Sequence, residues 1–141
     1  MIGSSVCVSG NAFCGAGTTG AQSATTWGAG IGVNLNQMPT SPTPGTYAAP
    51  MASTGVTYAL SSLPTGTVYL IIDNGGTAYY ATLTAASGSI PWSGFKSTPW
   101  AADASAPLGS APQMATHLQI QLSAGVAAAP FNFCVTSLKI M

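Results

Sequence analysis

The sequence predicts an all-β fold, an antiparallel β-sandwich of the jelly-roll type, in a single domain covering residues 1–141. Several short segments alternate apolar and polar residues with period two, which is typical of strands that bury one face. Clusters of glycine and proline separate these segments, and the chain contains 17 Gly and 10 Pro, the residues that favour turns. No segment combines a helical period with capping residues. About eight short strands joined by such turns favour a sandwich over a helical or mixed fold.

The strands are predicted, in chain order, at residues 6–9, 27–37, 56–60, 68–72, 77–83, 89–92, 115–122 and 131–140. Residues 10–24 are small and polar and are predicted to form a long loop. Residues 38–51 are rich in proline, which excludes a helix and indicates a surface connection. Residues 101–113 contain further Pro and Gly and are also predicted to be loop.

The chain is organised around residues 67–100, which begin with a predicted hairpin. Asp73, Asn74, Gly75 and Gly76 separate two strands rich in β-branched and aromatic residues. Asn and Gly tolerate the positive φ angles that tight hairpin turns require. We expect Asp73 to cap this turn.

The second predicted strand has two different faces. Apolar residues alternate with glycine and asparagine, so that asparagine provides the only side chains on one face of the strand. Glycine in a strand marks a place where something approaches the backbone closely. Two interpretations are open, a groove floor cleared of side chains and a tight contact with a neighbouring loop. The residues of this face are Gly28, Gly30, Gly32, Asn34 and Asn36.

The charge composition excludes several classes of partner. Only 3% of residues are charged and the formal net charge is zero. A nucleic-acid-binding surface depends on Lys and Arg that neutralise phosphates, so nucleic acid is excluded, as are anionic membranes. No apolar segment reaches the roughly 18 residues of a membrane span. The N-terminus lacks the basic region of a signal peptide, and we expect the chain to be a piece of a longer secreted protein.

The three cysteines indicate disulfide chemistry rather than metal binding. They show neither C-x-x-C spacing nor a Cys/His cluster, so zinc is not expected. Cys7 and Cys134 each lie in an apolar strand near one terminus, and terminal strands often pair in sandwiches. We therefore predict a Cys7–Cys134 disulfide on the face away from the core. The alternatives are a Cys7–Cys14 bond that closes a small loop, and three reduced thiols.

Catalytic groups are scarce in this chain. It has two carboxylates, Asp73 and Asp103, whereas a glycosidase usually needs a pair flanking the scissile bond. His117 is the single histidine, and the G-x-S-x-G motif of serine hydrolases is missing. We expect His117 to be an exposed strand residue and the protein not to be an enzyme. No cofactor is expected, although a structural calcium ion held by backbone carbonyls is compatible with such sandwiches.

Aromatic and amide side chains are better supplied, and they suit a neutral glycan. Sugar rings stack their C–H faces on aromatic rings, while their hydroxyls bond to amides and carboxylates. Trp92 has the same phase as Ile90, so we place it against the core, with the rim of the site as the alternative. The candidate carbohydrate-binding residues are Trp27, Asn34, Tyr69, Tyr80, Trp92, Trp100, Asp103, Gln119 and Gln121.

A family resemblance supports the same partner. The sequence Asp-Asn-Gly-Gly-Thr at residues 73–77, Ile-Pro-Trp-x-x-Phe at 90–95 and a second Trp at 100 resemble bacterial β-sandwich carbohydrate-binding modules, including cellulose- and β-glucan-binding modules recovered from soil DNA. Residues 6–10, 27–32 and 131–135 also fit that pattern. The resemblance implies a β-linked plant glucan as ligand, namely cellulose, xyloglucan or mixed-linkage glucan. It also implies secretion and fusion to a hydrolase that degrades plant cell wall. A structural or adhesive sandwich domain of a secreted protein is the alternative.

Overall fold

The computed structural model describes residues 2–9, 11–23, 27–97 and 106–141, with the side chains of residues 2–9 left out of the description. The described residues form nine strands and one short 3₁₀ helix. Every strand pairing is antiparallel, and the strands form two sheets. The predicted antiparallel β-sandwich is therefore confirmed. The strands are β1 Ile2–Ser9, β2 Ala12–Thr18, β3 Gly28–Asn34, β4 Gly55–Leu60, β5 Val68–Asn74, β6 Thr77–Leu83, β7 Ser87–Pro91, β8 Ala115–Ser123 and β9 Pro130–Ile140, and the 3₁₀ helix is Trp92–Gly94.

One sheet has five strands in the order β1-β2-β9-β4-β7, and the other has four in the order β3-β8-β5-β6. The predicted hairpin joins β5 to β6 in the four-stranded sheet. Gly75 and Gly76 form its turn with φ angles of 59° and 82°, the left-handed values that a two-residue hairpin requires. The side-chain acceptor beside the turn is Asn74 rather than Asp73, because Asn74 Oδ1 accepts the Met114 N–H at 2.8 Å.

The prediction of a loop over residues 10–24 is wrong for residues 12–18, which form β2 between β1 and β9. This strand contains few large side chains, so it lacks the alternation that reveals other strands. Its small residues are required by the packing. A Cβ atom at Gly15 would lie 2.9 Å from Cγ1 of Ile31 in the opposite sheet.

The position of β2 also makes the predicted Cys7–Cys134 disulfide wrong. Cys134 is bonded to Cys14, with the two Cα atoms 3.9 Å apart, and these residues are register partners of β2 and β9. Cys7 is the register partner of Cys14 on the other edge of β2. Cys7 and Cys134 therefore lie two strands apart, with about 4.8 Å for each strand spacing. The distance between their Cα atoms is larger than a disulfide can bridge.

The core lies between the two sheets and is made of the predicted inward faces. Val68, Leu70 and Ile72 of β5 and Ile120 and Leu122 of β8 are all at most 2% exposed. Since side chains alternate along each strand, the residues between these positions must face away from the core. That outer face of the four-stranded sheet carries most of the predicted binding residues.

Candidate functional site

The outer face of the four-stranded sheet brings together residues that are distant in sequence. Gln121 is in register with Gly30 on one side and Tyr69 on the other, and Tyr69 is in register with Thr82. In the next row Gln119 lies between Gly32 and Ile71, and Ile71 is opposite Tyr80. Residues opposite each other in register share a face of the sheet. We call this surface the outer-face patch, made of Asn34, Tyr69, Ile71, Asp73, Tyr80, His117, Gln119 and Gln121.

The third row of the patch contains its histidine and its carboxylate. His117 is in register with both Asn34 and Asp73. Asp73, expected to cap the hairpin turn, is therefore placed beside the histidine, where its carboxylate adds an acceptor to the patch.

The glycines of β3 do not form an empty groove floor. A Cβ atom at Gly30 would lie 2.5 Å from Nε2 of Gln119, and one at Gly32 would lie 2.5 Å from Nε2 of His117. The side chains of β8 therefore extend over β3 and occupy the space that its glycines leave. Of the two interpretations left open by the sequence, the tight contact is the one observed at these positions, although the contacting residues belong to the strand β8 and not to a loop.

A chain of hydrogen bonds holds the polar end of the patch. His117 Nδ1 lies 2.9 Å from Asn34 Oδ1, and because that oxygen can only accept, the ring nitrogen donates. Asn34 Nδ2 donates to Gln37 Oε1 at 2.8 Å, and Gln37 Nε2 donates to the Ser41 carbonyl at 2.9 Å. Each amide is thereby fixed in orientation. Gln37 was not among the predicted residues, since in the predicted strand it has the inward phase of Val33 and Leu35, whereas the observed β3 ends at Asn34.

The two predicted tyrosines of the patch are in contact. Tyr69 and Tyr80 pack edge to face, with ring centroids 5.8 Å apart and planes at 81°, a favourable arrangement for aromatic pairs. Burial, followed by the nearby Asp73 carboxylate and the Tyr69 phenol, raises the pKa of Tyr80 above its ordinary value. The Tyr80 hydroxyl is therefore a neutral donor over the whole physiological pH range.

Ile71 has an outward phase and yet is only 4% exposed. It is in register with Gln119 and Tyr80 and lies outside the cluster of side chains between the sheets. It packs beneath the polar side chains at the centre of the patch and presents little surface of its own to a ligand.

The tryptophans differ in position. Trp27 is 65% exposed, and its carbonyl accepts a hydrogen bond from Gln121 Nε2 at 3.2 Å, which places the residue beside the patch. Trp92 is 4% exposed and packs in the core, where its Nε1–H donates to the Ser53 carbonyl at 2.9 Å. This is the core position expected from its phase, and its inclusion among the candidate binding residues is wrong. Trp100 and Asp103 lie outside the described residues.

The described region offers no cluster of three or more His, Cys, Asp or Glu side chains that could hold a metal ion. None of the helices within it is long and apolar enough to cross a bilayer.

The patch consists of amides and phenols together with one histidine, one carboxylate and the buried Ile71. These groups can donate and accept hydrogen bonds, and the phenol rings present aromatic surface.

Comparisons of the chain with protein-family models, with curated proteins and with solved structures found no match.

Proposed function

We propose that the chain is a non-catalytic carbohydrate-binding module that binds a neutral plant polysaccharide through the outer-face patch. The observation that carries this proposal is the assembly, in adjacent rows of one sheet, of the Tyr69–Tyr80 pair with the amides of Gln119 and Gln121. Ring faces and amides are the two kinds of group that a sugar recognises, one through its C–H faces and the other through its hydroxyls.

The ligand is a β-linked glucan, with cellulose, xyloglucan and mixed-linkage glucan as the members of that class. The patch suits a neutral polymer because amides and phenols make up most of it, with Asp73 and the neighbouring Lys96, the bridge partner of Tyr80, as single groups of opposite charge. The fixed orientation of Asn34 favours binding, since less side-chain freedom is lost when the ligand arrives. Trp27, exposed at the edge of the patch, supplies a further stacking surface.

The module acts by proximity. A hydrolase fused to it stays close to an insoluble substrate, which raises the effective concentration of the enzyme at the cell wall without a new catalytic contact. The Cys14–Cys134 disulfide supports a secreted, extracellular setting, where disulfides persist. Two carboxylates in the whole chain support a binding rather than a hydrolytic role.

A structural or adhesive sandwich domain of a secreted protein is the second candidate. It is favoured by the occupied glycine positions of β3, where Gln119 and His117 fill the space that a groove would need. On this alternative the amides of the patch serve packing within the sheet, and glycan binding is absent.

Affinity electrophoresis against soluble β-glucans, xyloglucan and xylan separates the two candidates. We expect retardation on at least one β-glucan, and loss of that retardation in Gln119→Ala and Gln121→Ala. The matched control is Asn132→Ala, which removes an exposed amide from β9 in the other sheet and should migrate like the parent. Normal migration of the parent on every polysaccharide would favour the structural domain.

A further inference from the structure

Three outward side chains of β8 lie across β3, which ends the strand order of its sheet. Nε2 of Gln119 and Nε2 of His117 each lie 2.5 Å from the position that a Cβ atom would occupy on a β3 glycine. Gln121 Nε2 donates to the carbonyl of Trp27, the residue directly before β3. The three side chains therefore form a column along the edge of the sheet, about 14 Å long at about 3.4 Å per residue.

A backbone carbonyl fixes the orientation of the amide at one end of this column. The Trp27 carbonyl oxygen can only accept a hydrogen bond, so the Gln121 atom that lies 3.2 Å from it is the amide nitrogen. Gln121 Oε1 is therefore held on the opposite side of the amide, where it can accept a hydrogen bond but cannot donate one.

A second backbone carbonyl fixes the histidine at the other end through two amides. Gln37 Nε2 donates to the Ser41 carbonyl, which leaves Gln37 Oε1 to accept from Asn34 Nδ2 at 2.8 Å. Asn34 Oδ1 is then the atom that lies 2.9 Å from His117 Nδ1, so this ring nitrogen carries the proton. Since a neutral imidazole has one N–H, Nε2 of His117 is an acceptor.

Both ends of the column thus present an acceptor to a ligand. His117 and Gln121 are partly exposed, and within the described part of the chain no hydrogen bond reaches Nε2 of the histidine or Oε1 of the glutamine. An acceptor pairs with a donor, and the donors of a neutral glycan are its hydroxyl groups. We propose that His117 and Gln121 are specificity-determining residues that accept hydrogen bonds from two free hydroxyls of the glycan, with Asn34 and Gln37 as positioning residues.

These roles rest on the proposed function and narrow its ligand class. A glycan that binds along the column must carry unsubstituted hydroxyls on the edge that faces β3. Ring faces alone, stacked on the aromatic side chains, would not satisfy the two acceptors.

Comparison of cellohexaose with its fully O-methylated derivative tests this requirement. Methylation keeps the C–H faces and the ether oxygens of the sugar but removes every hydrogen-bond donor. We expect calorimetric titration of the parent to show at least fivefold weaker binding of the methylated sugar, because two hydrogen bonds are lost and each contributes about two- to tenfold. In His117→Phe and in Gln121→Leu this preference should shrink by about two- to tenfold, since one acceptor is missing. The ratio of the two affinities is unaffected by any stacking that the new ring adds to both sugars.

The positioning role of Asn34 is read from the tautomer of His117. Because His117 is the single histidine of the chain, its ring nitrogens give the only imidazole signals in a ¹⁵N spectrum. We expect the proton on Nδ1 in the parent and in Asn34→Asp, which keeps an acceptor. Asn34→Leu should lose this preference and bind cellohexaose about two- to tenfold more weakly. The matched control is Asn36→Ala, whose native amide donates to the Thr46 carbonyl instead, and it should keep both the tautomer and the affinity.

Three results would overturn the assigned roles. They are a proton on Nε2 in the folded parent, equal affinity of the parent for the two sugars, and an unchanged preference in His117→Phe and Gln121→Leu variants that keep their melting transitions. Each of these leaves glycan binding itself in place as long as cellohexaose binds. A parent that binds neither sugar contradicts the proposed function and the assigned roles together, so the two failures are distinguishable.

Discussion

Cys14 of β2 and Cys134 of β9 are register partners joined by a disulfide, while Cys7 of β1 is the register partner of Cys14 on its other side. The three cysteines thus belong to one row across three adjacent strands. In a chain with three cysteines, this bond leaves Cys7 without a disulfide partner of its own.

This arrangement predicts an asymmetry between two cysteine variants. In Cys134→Ala we expect Cys14 to form a disulfide with Cys7, since these residues are directly opposite. In Cys14→Ala we expect both remaining cysteines to stay reduced, because β2 separates their strands. Alkylation of the unreduced protein followed by peptide mapping measures both outcomes. A Cys7–Cys134 peptide in Cys14→Ala, or free Cys7 and Cys14 thiols in Cys134→Ala, would contradict this arrangement.

Reduction of the parent protein measures how much the Cys14–Cys134 disulfide stabilises the fold. The disulfide closes a loop with a sequence separation of 120 residues, and we expect its reduction to lower the free energy of unfolding by about 2–5 kcal/mol. Denaturant unfolding with and without reductant checks this value, and Cys7→Ala, which keeps the Cys14–Cys134 bond, is the control that should behave like the parent.

The glycines of β3 are predicted to differ in their tolerance of alanine. A Cβ atom at Gly30 would meet the Ile120 carbonyl oxygen at 2.7 Å, a backbone atom that cannot move aside. At Gly32 the closest atoms belong to the His117 ring, which can rotate away at the expense of its hydrogen bond to Asn34. We expect Gly30→Ala to cost about 1–3 kcal/mol through overpacking and Gly32→Ala about 1 kcal/mol through the lost hydrogen bond.

Gly125→Ala is the control for both variants. Its Cβ atom would meet a single neighbour at an ordinary contact distance of 3.8 Å, so we expect stability to be unchanged or slightly raised. Denaturant unfolding ranks the three variants by their free energy of unfolding. Equal losses for Gly30→Ala and Gly125→Ala would show that β8 does not pack tightly against β3.

The two described tryptophans are predicted to separate stability from binding. Trp92→Ala removes a buried ring and its hydrogen bond, and we expect a loss of about 3–5 kcal/mol in the free energy of unfolding. Trp27→Ala removes an exposed ring and should leave stability within about 0.5 kcal/mol, while lowering affinity for a β-glucan by about 1–3 kcal/mol, by analogy with bases stacked on aromatic side chains. Thermal melts and calorimetric titration of both variants measure the two effects. A Trp27 variant that binds like the parent would remove this residue from the site.

Glycan binding is predicted to be nearly independent of salt. The patch relies on stacking and neutral hydrogen bonds, which ionic strength does not screen, so affinity should change by less than about twofold between low and half-molar salt. Calorimetric titration of a β-glucan oligosaccharide at both salt concentrations tests this. A steep loss of affinity would indicate a charged partner.

Alkaline pH is predicted to destabilise the fold through two tyrosines. Burial raises the pKa of Tyr58, whose hydroxyl donates to the Ala85 carbonyl at 3.1 Å, and burial also raises the pKa of Tyr80. A raised pKa in the folded state means that the folded protein keeps these protons to higher pH than the unfolded chain does. The contribution of the two tyrosines to the free energy of unfolding is therefore complete below about pH 10 and is lost as the pH rises further. We expect the melting temperature to fall above pH 10, and to fall less steeply in the double variant Tyr58→Phe, Tyr80→Phe. Equal slopes for parent and variant would assign the loss to other groups.

Alternation along the strands was sufficient to predict much of the fold and of the candidate site. Along β8, a period of two predicts that Ile120 and Leu122 point inward and that Gln119 and Gln121 point outward, and the structure places them so. The same rule placed Tyr69 and Tyr80 on one face of the hairpin. These predictions succeed because side-chain direction in a strand has period two and depends on the local sequence alone.

Strand order, by contrast, was decided by tertiary structure. The segment at residues 12–18 has few large side chains, and Gly15 must admit Ile31 from the opposite sheet. Its pairing between β1 and β9 therefore decides that it is a strand. The disulfide partner of Cys134 follows from that pairing. The burial of Trp92 and the exposure of Trp27 were likewise not encoded locally, since an indole is compatible with core and surface alike and its position depends on which distant segment packs against it.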